Sequence, residues 1–452
     1  MTKDTSFVCS SCGFDSKKWY GKCPECGEWN TFKEFTIPSI QGLKKSSLAK
    51  KNNGAFSLQA ASPKRLSEIK ISDTKRLSTQ FNEFDRVLGG EEGSQGIVPG
   101  SIILLSGDPG VGKSTVLLQI AFNLARTGKK ILYISGEESD GQIRLRAERI
   151  SSKKALPEEF FLFANTKIEE ITQVIGQNEF DLVILDSIQT VSSEYVPGFP
   201  GSVAQIRYVT NQLVQIGKTL NIPIILVGHV TKEGIVAGPM MLSHMVDTVL
   251  YLEGESVSGT RILRCHKNRF GDTTEVGIFI MDENGLVELK DASSFFIDKA
   301  NKKVPGACFT VVLEGTRPLV LEIQALTVPT NLSFPRRTAS GISEKRLEII
   351  LAILQKHVHL PLDRLDVYIN VAGGMNVKEP SADLAVCLAI AASVKGKVLN
   401  NTVACGEVGL LGEIKPVTNL AKRKKEAVKF GFTNMFSYES ATELAILLQK
   451  TV

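Results

Sequence analysis

The chain lacks any run of apolar residues approaching the ~20 that a membrane-crossing helix needs. Its longest candidate, Leu384 to Val394, has the length of a buried core helix. Its start, Met1 to Phe7, is polar and carries both signs of charge, so the basic flank and apolar stretch of a secretory signal are missing. Together these absences predict a cytoplasmic chain with no membrane partner. No charge of one sign dominates either: 53 Lys and Arg against 48 Asp and Glu leave a net +5. That excludes the charge excess of a disordered chain, and no fibrous repeat appears.

What is present is the mix of a globular protein, with 43% hydrophobic and 22% charged residues, 38 glycines and 17 prolines. At ~150 residues per domain, 452 residues predict about three domains rather than one uniform core. The small net charge is unevenly placed. Residues 1 to 65 hold eleven Lys and Arg against five acids, so this arm carries +6 and the remainder sums to about zero. Such an arm suits contact with a polyanion, and solvated lysines account for it as well.

Four of the eight cysteines fall in the first 26 residues, as Cys9-x2-Cys12 and Cys23-x2-Cys26. Two thiolate pairs, each on a tight knuckle turn, can converge tetrahedrally on one Zn²⁺. A module spanning residues 1–35 buries too little apolar surface to fold alone, so metal ligation would carry its folding. Trp19, Tyr20, Trp29 and Phe32 are expected to cover the site. Two disulfides are the rival reading, which a reducing cytosol disfavours, and redox chemistry is a lesser one. All four positions are filled by protein ligands, so the zinc would be structural. Cys265, Cys308, Cys387 and Cys405 stand singly in apolar patterns and read as packing residues. From 36 to 65 periodicity gives way to Ser, Lys, Asn and Gly, the chemistry of a linker.

Between Gly100 and Glu138 the pattern reads strand, glycine loop, helix, turn, strand. The loop Gly107-Asp108-Pro109-Gly110-Val111-Gly112-Lys113-Ser114, followed by Thr115, has the spacing that wraps a di- or triphosphate of ATP in backbone N–H groups at a helix N-terminus. Lys113 would reach the β- and γ-phosphates, and the Ser114 hydroxyl would face Mg²⁺. The apolar strand ending at Asp186 offers a second Mg²⁺ partner, expected on the neighbouring strand end. Glu137 stands just beyond the strand Ile131 to Ser135, where a carboxylate could polarise the attacking water; Glu138 is the fallback, and a solvated loop carboxylate is the plain alternative.

Gly100 to Glu138, with the segment ending Asp186-Ser187, resembles the RecA family of ATPases, in the branch shared with DnaB-type helicases and KaiC. With the four-cysteine module, the segment Lys267-Asn268-Arg269-Phe270-Gly271 and a C-terminal Lon-like segment, the whole chain resembles the bacterial RadA (Sms) family of DNA repair proteins. The resemblance implies an α/β fold: a RecA-like ATPase core over 66–290, an N-terminal zinc ribbon or knuckle and a Lon-protease-like α/β domain over 291–452. It also implies a homo-hexamer that hydrolyses ATP between subunits and acts on single-stranded and branched DNA alongside RecA.

In that family Lys267 and Arg269 correspond to a finger reaching a neighbour's γ-phosphate. They would stand just past the strand Arg261 to His266, where fixed cations offset the charge of phosphoryl transfer; an exposed hairpin turn is the alternative. Two loops, Glu194 to Gln205 and Gly228 to Pro239, resemble the DNA-binding loops of RecA. Lys232 would track phosphates there, Phe199 would meet a base, and His229 would sense the γ-phosphate or simply end a strand.

Ser381 falls where Lon carries its nucleophile, and the catalytic lysine's column is placed at Ala421, whose methyl cannot act as a base. A non-proteolytic scaffold follows, with Arg336, Arg337, Lys378 and the run Lys422 to Lys425 as candidate phosphate contacts. A Lon-type protease and a KaiC-like signalling ATPase are the alternatives.

Overall fold

The computed structural model describes residues 5–9, 15–16, 18–24, 27–36, 75–91, 93–151, 155–228, 239–254, 259–289, 293, 304–332 and 334–452. Expectations placed on Cys12, Cys26, His229, Lys232 and the linker beyond residue 36 lie outside them.

At the N-terminus, β1 (Thr5–Cys9) pairs antiparallel with β2 (Asp15–Ser16) and with β3 (Phe32–Thr36), which sets Cys9 opposite Phe32. Cys9, Cys23 and Phe32 are buried together with Phe7 against them. The expected aromatic cover is corrected here. Phe32 is inside, but Trp19 is 54% and Trp29 67% exposed, and Tyr20 meets Phe32 only edge-on. A module this small has one interior face, and the cysteines with Phe32 fill it.

Two compact units are formed. The first groups Leu88–Tyr251 and His266–Gly271 with the described residues before Asn82; the second groups Asn82–Val87, Leu252–Cys265 and those from Asp272 on. After the short helix α1 (Asn82–Leu88), strands and helices alternate: β4 (Ile102–Gly107), α2 (Lys113–Arg126), β5 (Ile131–Ser135), α3 (Asp140–Ile150), β6 (Phe160–Ala164), α4 (Ile168–Gln177), β7 (Leu182–Asp186), α5 (Val203–Leu220), β8 (Ile224–Val227), α6 (Pro239–Met245) and β9 (Thr248–Gly254). Strand-helix alternation of this kind gives a parallel sheet, here in the order β4-β8-β7-β5-β6.

Every residue of β4, β5, β7 and β8 is buried, so these strands are continuous apolar runs without polar alternation. Ile171 and Ile175 of α4 and Val209 and Leu213 of α5 pack on Leu132, Val183, Leu185 and Leu226.

Strands β10 (Thr260–Asn268), β11 (Val276–Asp282) and β12 (Gly285–Glu288) form an antiparallel meander. Next come β13 (Ala307–Glu314), β14 (Arg317–Pro329), β15 (Arg337–Ser340), α7 (Glu344–His357), β16 (Leu365–Val371), α8 (Asp383–Lys395), β17 (Thr402–Ala404), β18 (Glu407–Val408), β19 (Ile414–Lys415), α9 (Leu420–Lys429), β20 (Asn434–Phe436) and α10 (Leu444–Thr451). Six of these strands make a mixed sheet, β15-β16-β14-β13-β17-β20.

Helix α7 starts where Ser343 accepts the Arg346 N–H, a side-chain cap that satisfies one orphan donor. Helix α8 is buried from Asp383 to Ala392, as its unbroken apolar sequence demands. Cys265, Cys308, Cys387 and Cys405 are all buried, in keeping with their reading as packing residues. Among the described residues, no helix is long and apolar enough to cross a membrane.

Candidate functional site

The glycine loop leaves β4 and enters α2 through three glycines at positive φ: Gly107 (149°), Gly110 (77°) and Gly112 (110°). Glycine alone adopts these angles without strain, and they let the chain turn tightly from β4 into α2. No carboxylate stands in the first turn of α2 to compete with an anion at that helix end. Lys113 is 4% exposed, and its ammonium donates to the carbonyls of Gly107 at 2.8 Å and Asp108 at 3.1 Å. Burial pulls its pKa down, while the carboxylates of Asp186, Asp108 and Glu137 work against that pull. An anion entering the loop would therefore meet a cation already desolvated and aimed at it.

Asp186 ends β7, but the expectation that its strand neighbours the loop strand is corrected: β8 lies between β4 and β7. The groups still share one edge, because all these strands run the same way. Ser135 pairs with Asp186 across β5 and β7, and the Gly136 N–H donates to the Asp186 carbonyl at 2.9 Å. A Cβ at Gly136 would fall 1.9 Å from Thr190 Oγ1, so the strand ends close tightly there. Asp186 is 9% exposed and accepts the Tyr133 hydroxyl at 2.6 Å; burial and the adjacent carboxylate hold that phenol's pKa well above its usual value.

Glu137 accepts a hydrogen bond from Ser187. Glu138 instead pairs with Arg146, and its backbone N–H and carbonyl both bond Ser135 Oγ. The two glutamates thus part company: Glu137 sits within the electrostatic reach of Lys113, and Glu138 braces α3.

Strand β10 runs to Asn268, so Lys267 lies inside the strand and only Arg269 stands past its end, a correction to the expected placement of the pair. Lys267 donates to the carbonyls of Ser243 at 2.5 Å and Val246 at 2.8 Å, capping the end of α6. Arg269 remains 58% exposed and reaches Asp247 at 3.5 Å, a carboxylate already bonded by Lys218 and by the Ile102 N–H.

The first of the two expected DNA loops is shorter and more fixed than its glycines and prolines suggest. Gln205 belongs to α5 and is 1% exposed; its side-chain amide bonds Ser193, Val196 and Gly198 across the loop. The loop therefore projects Tyr195 (67% exposed) and Phe199 (87%) from a stapled base.

In the N-terminal module, the Gly27 N–H donates to the Cys23 carbonyl at 2.9 Å with Gly27 at positive φ, the turn of a metal knuckle. Buried, adjacent Cys9 and Cys23 provide the soft donors that zinc takes, so the described half of the ligand set fits the metal.

In the second unit, Ser381 faces Arg423, not residue 421: Arg423 Nη1 lies 3.1 Å from Ser381 Oγ. The column placed at Ala421 is thus corrected by two residues, and Ala421 itself is exposed. Arg423 is fully buried, bonded to Glu379 and to the carbonyls of Thr418 and Val311. A guanidinium stays protonated and accepts nothing, so it cannot serve as the base of a dyad. Arg423 also leaves the set of phosphate contacts, and so does Arg337, whose guanidinium is held by the carbonyls of Leu362 and Leu365. Tyr133, Ser187, Gln205 and Arg423 were not singled out from sequence for these roles. The signal available was a polar tip or charge inside an otherwise apolar stretch.

Residues 72–234 match the family model described as "AAA domain", and residues 7–34 match "Rubredoxin metal binding domain". The chain is similar to proteins named DNA repair protein RadA. That of Bacillus subtilis (strain 168) is 44% identical over 438 residues, covering 96% of this chain and 93% of that protein. That of Listeria monocytogenes serovar 1/2a is 45% identical over 435 residues, with 96% and 92% covered. That of Streptococcus pyogenes serotype M6 is 43% identical over 443 residues, with 98% and 94% covered.

The Arg423 network generates a stability prediction. Arg423→Ala strands Glu379 beside a vacated interior and is expected to cost about 3–5 kcal/mol, read by urea unfolding followed in the second unit. Ser381→Ala removes one acceptor and is expected to cost under about 1.5 kcal/mol. Casein degradation that disappears with Ser381→Ala would contradict this reading of the site.

Proposed function

The chain belongs to the RadA family of DNA repair proteins, and from that premise we propose that it is a DNA-dependent ATPase and branch-migration helicase that processes recombination intermediates alongside RecA. The working form is a homo-hexamer in the cytoplasm acting on single-stranded and branched DNA. The observation that carries the reading is the meeting of Lys113, Asp186 and Glu137 along one edge of a parallel sheet, beside a loop built for phosphates.

In this proposal the loop amides from Gly107 to Thr115 and the start of α2 hold the β- and γ-phosphates, and Lys113 leaves its two carbonyls for a γ-oxygen. Ser114 and Asp186 would hold Mg²⁺, which would supply positive charge beside the phosphate oxygens. Glu137 orients the attacking water and takes its proton, with the Ser187 hydroxyl fixing the carboxylate. Arg269, exposed on its own protomer, completes the neighbour's site in the ring, with Lys267 supporting it from the end of β10.

Tyr195 and Phe199 project where unpaired bases can stack, so binding tracks the strand, weakens with salt and shows little sequence preference. The second unit serves as a non-proteolytic Lon-like scaffold, with Arg336, Lys378, Lys422, Lys424 and Lys425 as its phosphate contacts, Lys422 exchanging the Thr316 carbonyl and Lys424 exchanging Glu439 for phosphate. Cys9, Cys12, Cys23 and Cys26 hold one structural Zn²⁺.

Lys113→Ala is expected to abolish ATP turnover and branch migration, and normal migration by that variant would sink the motor assignment. Arg269→Ala should keep ATP binding while lowering hydrolysis roughly a thousandfold. Mixing the two variants should recover part of the turnover, and no recovery would argue against action across an interface. ATPase indifferent to added single-stranded DNA would favour a signalling role. Chelation should release one zinc per chain, measured with a colorimetric zinc indicator, and unfold the first module alone.

A further inference from the structure

We propose that Tyr133 is a positioning residue: it fixes the carboxylate of Asp186 for the divalent cation and so sets metal affinity without touching the nucleotide. The inference rests on the assignment of Asp186 to Mg²⁺ made above. Tyr133 lies on β5 two residues before its end, where parallel register sets it beside Ile184 and sets Ser135 beside Asp186. Its ring is 2% exposed and packs on Phe160, which meets Phe122 in turn. From that wedged ring the hydroxyl donates to Asp186 Oδ2 at 2.6 Å.

The rest of β5 is Ile, Leu, Ile and Ser, and a phenylalanine would fill the same volume. A hydroxyl carried into such an interior is unfavourable unless it is bonded, and its bond goes to the carboxylate. The terminal torsion of an aspartate is soft, so an unrestrained carboxylate samples many orientations. A fixed donor on one oxygen removes that freedom and leaves Oδ1 as the oxygen for a cation. The main chain of Asp186 is held from the same strand, by the Gly136 N–H just past its end and by the close packing of Gly136 on Thr190. Side chain and backbone are thus fixed by consecutive parts of the same strand end.

Tyr133→Phe keeps both ring contacts and removes only the donor. The test titrates Mn²⁺, a spectroscopic substitute for Mg²⁺, into the full-length protein with ADP and reads free Mn²⁺ by electron paramagnetic resonance. The dissociation constant for Mn²⁺ is expected to rise roughly tenfold, the range seen when an outer partner of a metal ligand is lost. ADP affinity measured in EDTA is expected to be unchanged. Asp186→Asn is the reference and should weaken Mn²⁺ further. Wild-type Mn²⁺ affinity in Tyr133→Phe, with Asp186→Asn impaired, overturns the positioning role. Equal Mn²⁺ affinity in all three proteins overturns the metal assignment of Asp186 instead. An equal loss of ADP affinity in EDTA would show that Tyr133 shapes the whole site, which also overturns the proposal.

Discussion

Parallel pairing of β4, β8, β7 and β5 brings the carboxyl ends of four strands to one edge, and the nucleotide site hangs from that edge. In an open parallel sheet that edge is where backbone groups run out of partners and where loops diverge, leaving room for a ligand. Because these strands are buried on both faces, their register rests on close packing against the flanking helices rather than on polar alternation. Glu137, Asp186 and the glycine loop come from segments far apart in sequence, and their relative heights are set by the ladder that joins β4, β8, β7 and β5, in which Asp186 itself is paired with Ser135. Stability and chemistry are therefore joined in this unit: the interior packing of Leu132, Val183, Leu185 and Leu226 also fixes where charge can meet phosphate.

The phosphate loop was legible in the sequence because its geometry is local: glycines at 107, 110 and 112 and a lysine at the helix start need no distant partner to be read. Asp186 and Glu137 were legible as residues but not in their arrangement. Strand order depends on which crossovers the packing allows, and nothing within β7 encodes that β8 will intervene. Exposure in the first module was misjudged for a related reason. Aromatic residues near cysteines suggest cover, but among the described residues Phe32 is buried with Cys9 and Cys23, Phe7 packs against them, and Trp19 and Trp29 are mostly exposed.

Arg423 shows the limit of reading a helix by alignment alone. A displacement of two residues turns a side chain by about 200° around the axis, enough to exchange an exposed methyl for a buried guanidinium. The interior position then carries its own logic. A lysine can lose its proton when buried and act as a base; an arginine cannot, and so must be paired. Glu379 pairs it, and carbonyls of Val311 and Thr418 take further N–H groups, so the strand β13 and the start of α9 are tied through one side chain. Ser381 survives beside it as one more acceptor. The same geometry that brings a cation to the serine thus serves cohesion in place of proton transfer.

A similar comparison separates Lys267 from Arg269. Lys267 has two short bonds to the carbonyls that end α6, a position favourable for a cation and costly to vacate. Arg269 has one long, largely exposed contact to a carboxylate that Lys218 and a backbone amide already satisfy. A contact of that kind is worth less than about 1 kcal/mol, whereas a charge-assisted bond to a phosphate is shorter and roughly twice as strong as a neutral one. If a neighbouring protomer presents a γ-phosphate, exchange therefore favours the arginine. The lysine's part is then to hold the end of β10 against α6, so that the guanidinium two residues on leaves from a fixed base. Under the proposed trans-acting role, fixing one cation limits the conformational entropy lost when the other reaches across.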